Sequence, residues 1–302
     1  MGMWFANGER QAGRIMQQLQ GRDGVVQSVR SVSNYEQALA RVAEWQKAEH
    51  QAGRQGGDLR SLTPEQAVAY LEQRGEQVGQ KALDQERQAI QLMQRHVTGQ
   101  LPQDGRLPVV RSERTQILES RAYTRDQVAA VADRQHDTNR LATEIAYAAG
   151  LRAHELLTLR PAAERPADER PSREEKFAGR EAGERYTVIG KGGLCREVSL
   201  PRELAERLEA TRLEEPRQVN DRGVHYQSHY DIGGGQRWSN SWSQASNAAL
   251  GWSNGAHGLR HSYAQERLGE LQRDGLSYRD ALEVVSQEMG HFRPEITETY
   301  LR

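Results

Sequence analysis

The 302-residue sequence predicts a mainly α-helical protein with a small β-sheet or hairpin, in which an all-helical domain precedes an α+β domain. Three observations predict this class. Apolar residues recur at helical spacing through two long regions. A polar stretch containing two prolines, "TGQLPQDGRLPVVRSERTQ", stands between those regions as a linker over residues 101–114. Two alternating, β-branched runs flank a "GKGG" tetrapeptide in "RYTVIGKGGLCREVSLP", the signature of a hairpin.

Residues 1–33, opening "MGMWFANGERQAGR", are set apart as an N-terminal leader or arm. The helical domain is expected over 34–100. Tyr35, Leu39, Val42, Ala43 and Trp45 share one face of its first helix. After the Gly-rich break "QAGRQGGD", Thr63 is the expected N-cap of a second helix, with Pro64 at its first position and Gln66 completing a capping box. "QKALDQERQAIQLMQRHV" is the third helix.

The second domain is expected over 115–302. "TRDQVAAVADRQHD" and "NRLATEIAYAAG" read as helices capped by Thr124 and Asp137, the latter stopping at Gly150. The proline-rich charged run from Arg160 to Glu184 reads as a mobile loop ahead of the hairpin. Residues 219–256 read as a long loop holding one helix, "SNSWSQASNAAL", and two helices ending in glycine complete the chain.

Charge is abundant but balanced, 41 Lys+Arg against 42 Asp+Glu, which argues against binding nucleic acid through bulk positive charge and leaves room for a local basic face. Cys195 is the single cysteine, so an intrachain disulfide and a Cys-rich zinc site are excluded, in keeping with a reducing cytoplasm. There is no apolar run of spanning length and no secretory leader.

Short stretches suited to holding a phosphate follow one another: "GLRAHEL" with Arg152, "GKGG" with Lys191, "HGLR" with His257 and Arg260, and "GH" with His291. Arg152 follows a helix stop, and its planar fork can take two phosphate oxygens. His257 and Arg260 are three apart at a helix start, on one face near the positive end of its dipole. Pro294 then opens a helix expected to carry Tyr300 about 9 Å along its axis. "GKGG" lacks the frame of a nucleotide-binding P-loop.

The ordered set Arg152, Lys191, His257, Arg260, His291 and Tyr300, with the words "AAGLRAHELLTL", "GKGGLCREVSLP", "HGLRHSYA" and "MGHFRPEITETY", resembles the tyrosine recombinase (phage-type integrase) family from about Thr124 to Tyr300. The resemblance implies a core-binding DNA domain over 34–100 and a catalytic recombinase domain over 115–302 that together clamp double-stranded DNA. It implies that Tyr300 attacks a scissile phosphate to give a 3′-phosphotyrosine link and a free 5′-hydroxyl. Arg152 and Arg260 would neutralise the phosphate, His291 would donate to it, Lys191 would protonate the leaving oxygen and His257 would assist proton transfer. It also implies chemistry without metal or other cofactor, a homotetramer in the synaptic complex, and an accessory directionality protein as a further partner. In the helical domain Arg41, Lys47, Arg54, Arg60, Arg74 and Lys81 are candidates for backbone phosphate contacts.

The expected role is integration or excision of a mobile element, in the cytoplasm of a bacterium and on the nucleoid when DNA-bound. Family members usually continue past the tyrosine with a segment that docks on a neighbouring subunit, whereas Leu301 and Arg302 alone follow here. Two other readings stay open: a type IB topoisomerase-like enzyme that relaxes DNA as a monomer, and a DNA-binding accessory protein without catalysis.

Overall fold

The computed structural model describes residues 6–20, 24–54, 56–114 and 119–302. They belong to two compact units, Met1–Ile117 and Leu118–Arg302. Among the described residues no helix is long and apolar enough to cross a membrane.

The first unit is helical: α1 (Gly8–Leu19), α2 (Val29–Gln51), α3 (Pro64–Gly75) and α4 (Gln80–Met93), the last running into a π-helical turn at Gln94–Thr98. Thr63 accepts from the Gln66 amide while Gln66 reaches back to the Thr63 amide, the reciprocal cap that fixes the start of α3. The expectation that residues 1–33 form a separate leader fails for α1. Its Ala12, Ile15, Met16 and Leu19 are buried with Leu39 and Val42 of α2, and each of the three larger side chains is worth roughly 1.5–3 kcal/mol when removed from water. Gly8 permits that contact, because a Cβ there would lie 2.5 Å from the Ala40 carbonyl oxygen. The stretch 101–114 expected as a linker also belongs to this unit, with Leu107 in its core.

Three of the arginines put forward for phosphate contact are engaged within the unit, Arg54 with Glu49 at 2.7 Å. Arg41 and Arg74 hold the buried Glu86 carboxylate at 2.9 and 3.2 Å, and Tyr70 donates to it at 2.7 Å.

The second unit opens with α5 (Arg125–Ala132) and α6 (Asp137–Ala149). Thr124 caps α5 through a second capping box, whereas His136, not Asp137, is the N-cap of α6. A three-stranded antiparallel sheet follows in the order β1 (Arg160–Pro161), β2 (Glu184–Ile189), β3 (Cys195–Leu200), with β2 and β3 joined through the expected "GKGG" turn. Then come α7 (Arg202–Glu209), a two-stranded ribbon of β4 (Arg212–Asp221) and β5 (Val224–Tyr230), α8 (Gly235–Leu250), α9 (Gly258–Arg273), α10 (Tyr278–Glu288) and the short α11 (Pro294–Glu298).

Three expectations are corrected in this unit. The Arg160–Glu184 run is anchored rather than loose: Asp168 and Cys195 exchange backbone and side-chain hydrogen bonds, Arg173 pairs with Asp280 and Glu283, and the Phe177 amide donates to Glu288 at 2.9 Å. Its charges find specific partners, which a reading of composition alone misses. Residues 219–256 are mostly ordered into the ribbon and α8. Finally, α11 ends at Glu298, and Tyr300 sits on the tight turn after it, its amide donating to the Thr297 carbonyl at 2.9 Å.

Candidate active site

Arg152 leaves the end of α6 through Gly150, whose φ of +60° places it in the left-handed region. A Cβ at that position would lie 2.7 Å from the Tyr263 ring, so glycine alone fits both the turn and the packing. Glu155, fully buried three residues on, accepts from the Arg152 amide at 2.8 Å and from Nη1 at 2.6 Å.

The same carboxylate receives Arg196 Nη2 of β3 at 2.8 Å and stands 3.8 Å from Arg260 Nη1 of α9. Three guanidiniums thus converge on one anion, leaving a net cationic pocket. Burial by itself would raise the Glu155 carboxyl, but Arg196, Arg260 and Arg152 together hold it well below the ordinary carboxylate range. Burial and then Arg152 push the Arg260 guanidinium down to about 10.

Arg260 is completely buried. Its Nη1 donates to the Gly150 carbonyl, and its Nη2 donates to the Met289 carbonyl at 3.2 Å and meets His291 Nε2 at 3.1 Å. The guanidinium also lies 5.6 Å from the centre of the Tyr300 ring. Tyr300 is 8% exposed, and its ring centre is 5.4 Å from that of His257, 4.8 Å from His261 and 5.1 Å from His291, the last in a stacked arrangement.

Loss of hydration, then the charge of Arg260, push His257 down to about 3, and the same two causes bring His291 to about 3. Both imidazoles are therefore neutral near pH 7, and they resist protonation until a neighbouring anion offsets those cations. The Tyr300 hydroxyl is hydrogen-bonded to none of the described residues, while its backbone carbonyl accepts from Gln265 Nε2 at 3.0 Å.

Arg152, His257, Arg260, His291 and Tyr300 are thus brought together. Lys191 makes no hydrogen bond to them. It is exposed on the turn between β2 and β3, next to Gly190, where a Cβ would stand 3.4 Å from Glu155 Oε1 and 3.9 Å from Arg152 Nη1. The turn itself therefore borders the pocket.

Sequence reasoning missed Glu155, Arg196 and His261. Arg196 shares strand parity with Val198 and Leu200, both buried, and a charge on that face of β3 demands a partner. His261 follows His257 by one helical turn, and Glu155 follows Arg152 by three residues. Among the described residues no cluster of three or more His, Cys, Asp and Glu could hold a metal ion.

Comparison with solved structures finds similar folds at low sequence identity. The XerH site-specific recombinase bound to palindromic difH substrate, in a post-cleavage complex, is 15% identical with a TM-score of 0.62, over 97% of this chain and 81% of that one. A lambda integrase tetramer bound to a Holliday junction is 14% identical with a TM-score of 0.57, over 96% and 76% of the two chains. The Tn1549 transposon integrase with transposon right-end DNA is 12% identical with a TM-score of 0.53, over 98% and 95%. No protein-family profile matches the chain, and no curated protein matches it in sequence. The chain has the tyrosine recombinase fold, with helical units and a small sheet.

Proposed function

We propose that this chain, which carries the tyrosine recombinase fold, is a site-specific DNA recombinase that cuts and rejoins double-stranded DNA through a 3′-phosphotyrosine at Tyr300, in the integration or excision of a mobile element. The observation that carries this reading is the gathering of Tyr300 with three histidine rings beneath the Arg260 guanidinium.

In this mechanism Arg152 and Arg260 bind the nonbridging oxygens of the scissile phosphate and stabilise the pentacoordinate charge, and removal of one such donor costs roughly 10²–10³ in rate. The Tyr300 oxygen attacks phosphorus as its proton passes to neutral His257. The P–O5′ bond breaks, and Lys191 moves in from its turn to protonate the leaving 5′-oxygen. His291 contacts the phosphate once an anion makes its protonation favourable. Attack by a 5′-hydroxyl of a second duplex then reverses the step, displacing Tyr300 and joining the new partner. The bond energy is stored in the phosphotyrosine, and a homotetramer brings the duplexes together, with an accessory protein setting direction.

The test is incubation with supercoiled plasmid in EDTA, denaturation with SDS, and a gel for protein-DNA adducts. Adduct with the wild type and none with Tyr300→Phe supports the reading. Because the hydroxyl has no hydrogen-bond partner among the described residues, Tyr300→Phe removes the nucleophile with little cost to folding. Equal adduct from both proteins, or none from either on DNA that the wild type binds specifically, refutes it.

A further inference from the structure

The β4–β5 ribbon pairs Gln218 with Gln227, Val219 with Tyr226, and Asn220 with His225, closing on the turn Arg222–Gly223. Alternation divides these residues between two faces. Val219, Asp221, Tyr226 and Ser228 point inward and are buried or half-buried. Gln218, Asn220, His225 and Gln227 point outward and are exposed.

The outward face is unusual for a chain in which 27% of residues are charged. Its four paired positions bear amide and imidazole groups and no charge, in contrast with the exposed Glu214, Glu215 and Arg217 earlier on β4 and Arg222 in the turn. Among the described residues Gln218, His225 and Gln227 have no side-chain hydrogen bond, and Asn220 only closes the turn by accepting from the Gly223 amide at 3.0 Å.

An isolated two-stranded ribbon is marginally stable, yet this one is fixed at both ends. Asp221 accepts from the Gln236 amide at 2.8 Å, and Tyr230 donates to Glu209 at 2.7 Å. The inward ring of Tyr226 faces His154 with ring centres 6.3 Å apart, two residues from Arg152. The ribbon is therefore held in a set relation to the turn that carries Arg152.

We propose that the outward face of this ribbon reads base edges of the DNA held at the site, with Gln218, Asn220, His225 and Gln227 as its specificity-determining residues. The inference rests on the DNA-cleaving reading above. A two-stranded ribbon fits the major groove, where side-chain amides pair with adenine and a neutral imidazole both donates and accepts. At these four positions the absence of carboxylates avoids the repulsion they would meet between two phosphate backbones.

The experiment is selection from a random-sequence duplex pool by wild type, by Gln218→Ala/Gln227→Ala and by Asn220→Ala/His225→Ala, with thermal melts to check folding. Wild type should enrich a motif. Each variant should lose discrimination at a short contiguous block within it, by roughly 5- to 150-fold per base pair, while the slope of log affinity against log salt stays unchanged. An unchanged motif would overturn the inference, as would a uniform loss of affinity across sequences, which marks phosphate contacts. If wild type enriches no motif and forms no adduct, the recombinase reading fails first; adduct without any motif sinks the ribbon alone. Gln218 and Gln227 are exposed and make no side-chain hydrogen bond among the described residues, so their double variant should melt like the wild type, whereas Asn220→Ala/His225→Ala gives up the turn bond to the Gly223 amide and should melt slightly lower; Gln227→Arg provides a second check, because it should shift preference toward guanine at one position.

Discussion

Arg260 Nη2 stands 3.1 Å from His291 Nε2, and because a guanidinium only donates, His291 presents a lone pair there and carries its proton on Nδ1, toward Thr297 Oγ1 at 3.1 Å. The chain thus holds His291 in one tautomer, hydrogen-bonded on both sides. Without a change of tautomer, it can donate from Nε2 to a phosphate only after gaining a second proton.

Proton uptake on DNA binding follows. His257 and His291 are pushed down to about 3 by burial and neighbouring cations, and an incoming phosphate opposes both cationic effects. Titration calorimetry at pH 6 in buffers of different ionisation enthalpy should show uptake of up to about one proton, at His291, which is lost in His291→Gln, while His257 stays neutral to serve as the base. The sign for folding is fixed by the same shift. Depressed histidines contribute stability that is fully present above their ordinary value of 6.5 and is lost as pH falls from there toward about 3.

Glu155→Gln should destabilise the second unit. The substitution leaves Arg152, Arg196 and Arg260 without their shared anion in a buried site, a change worth about 3–5 kcal/mol, read as a lower urea midpoint. Because the Glu155 carboxyl is depressed below its ordinary value of 4.5, its contribution is present above that pH and lost on further acidification. The acid limb of the stability curve should therefore flatten in the variant.

The buried pair Arg267–Glu288, 3.0 Å apart, gives a contrast between breaking and replacing. Glu288→Ala should cost about 3–5 kcal/mol, whereas Arg267→Leu/Glu288→Leu should recover only part of that by thermal melting, because the Tyr263 hydroxyl and the Phe177 amide still lack their acceptor. Phe177 tests the anchoring of the charged run within that experiment. Its amide loses the Glu288 carboxylate in both variants, so limited proteolysis near residue 177 should rise in both.

Gly290→Ala should be disproportionately harmful for so small a change. The position has φ +73°, and a Cβ would lie 2.6 Å from Arg196 Cδ. The backbone strain alone is roughly 1–2 kcal/mol. Displacement of Arg196 would also disturb its bonds to the Glu288 carbonyl and Glu155, so adduct formation should fall more steeply than the melting temperature.

How legible all this was in the sequence depended on whether the signal was local. Caps at Thr63 and Thr124, the stop at Gly150 and the GKGG hairpin rest on backbone rules within a few residues, and each stands in the structure. The ribbon was hidden because "RLEEPRQVND" carries too few apolar residues for its alternation to register. The order of the Arg160–Glu184 run was hidden because it comes from ion pairs with α9 and α10, about a hundred residues away. Arg152, Arg260 and His291 could be picked out as candidates for holding a phosphate by chemical type. Glu155 could not, because its importance lies in the number of cations that meet it, which only the folded chain reveals.

Five residues make a helix too short to hold itself together in water, so α11 draws its order from what it touches. The Gln265 side-chain amide reaches the carbonyls of both Tyr300 and Arg302 at 3.0 Å, and Thr297 rests on His291. Few bonds hold this segment, and those from α9 are made by a single side chain, Gln265, rather than by its backbone ladder. Its opening is then a local fluctuation, separable from unfolding of the unit behind it. In amide exchange the turn around Tyr300 should exchange well before the interior of α9, so the attacking oxygen would ride on one of the least protected stretches of backbone in its unit, and a pause in its delivery would cost the rest of the structure almost nothing.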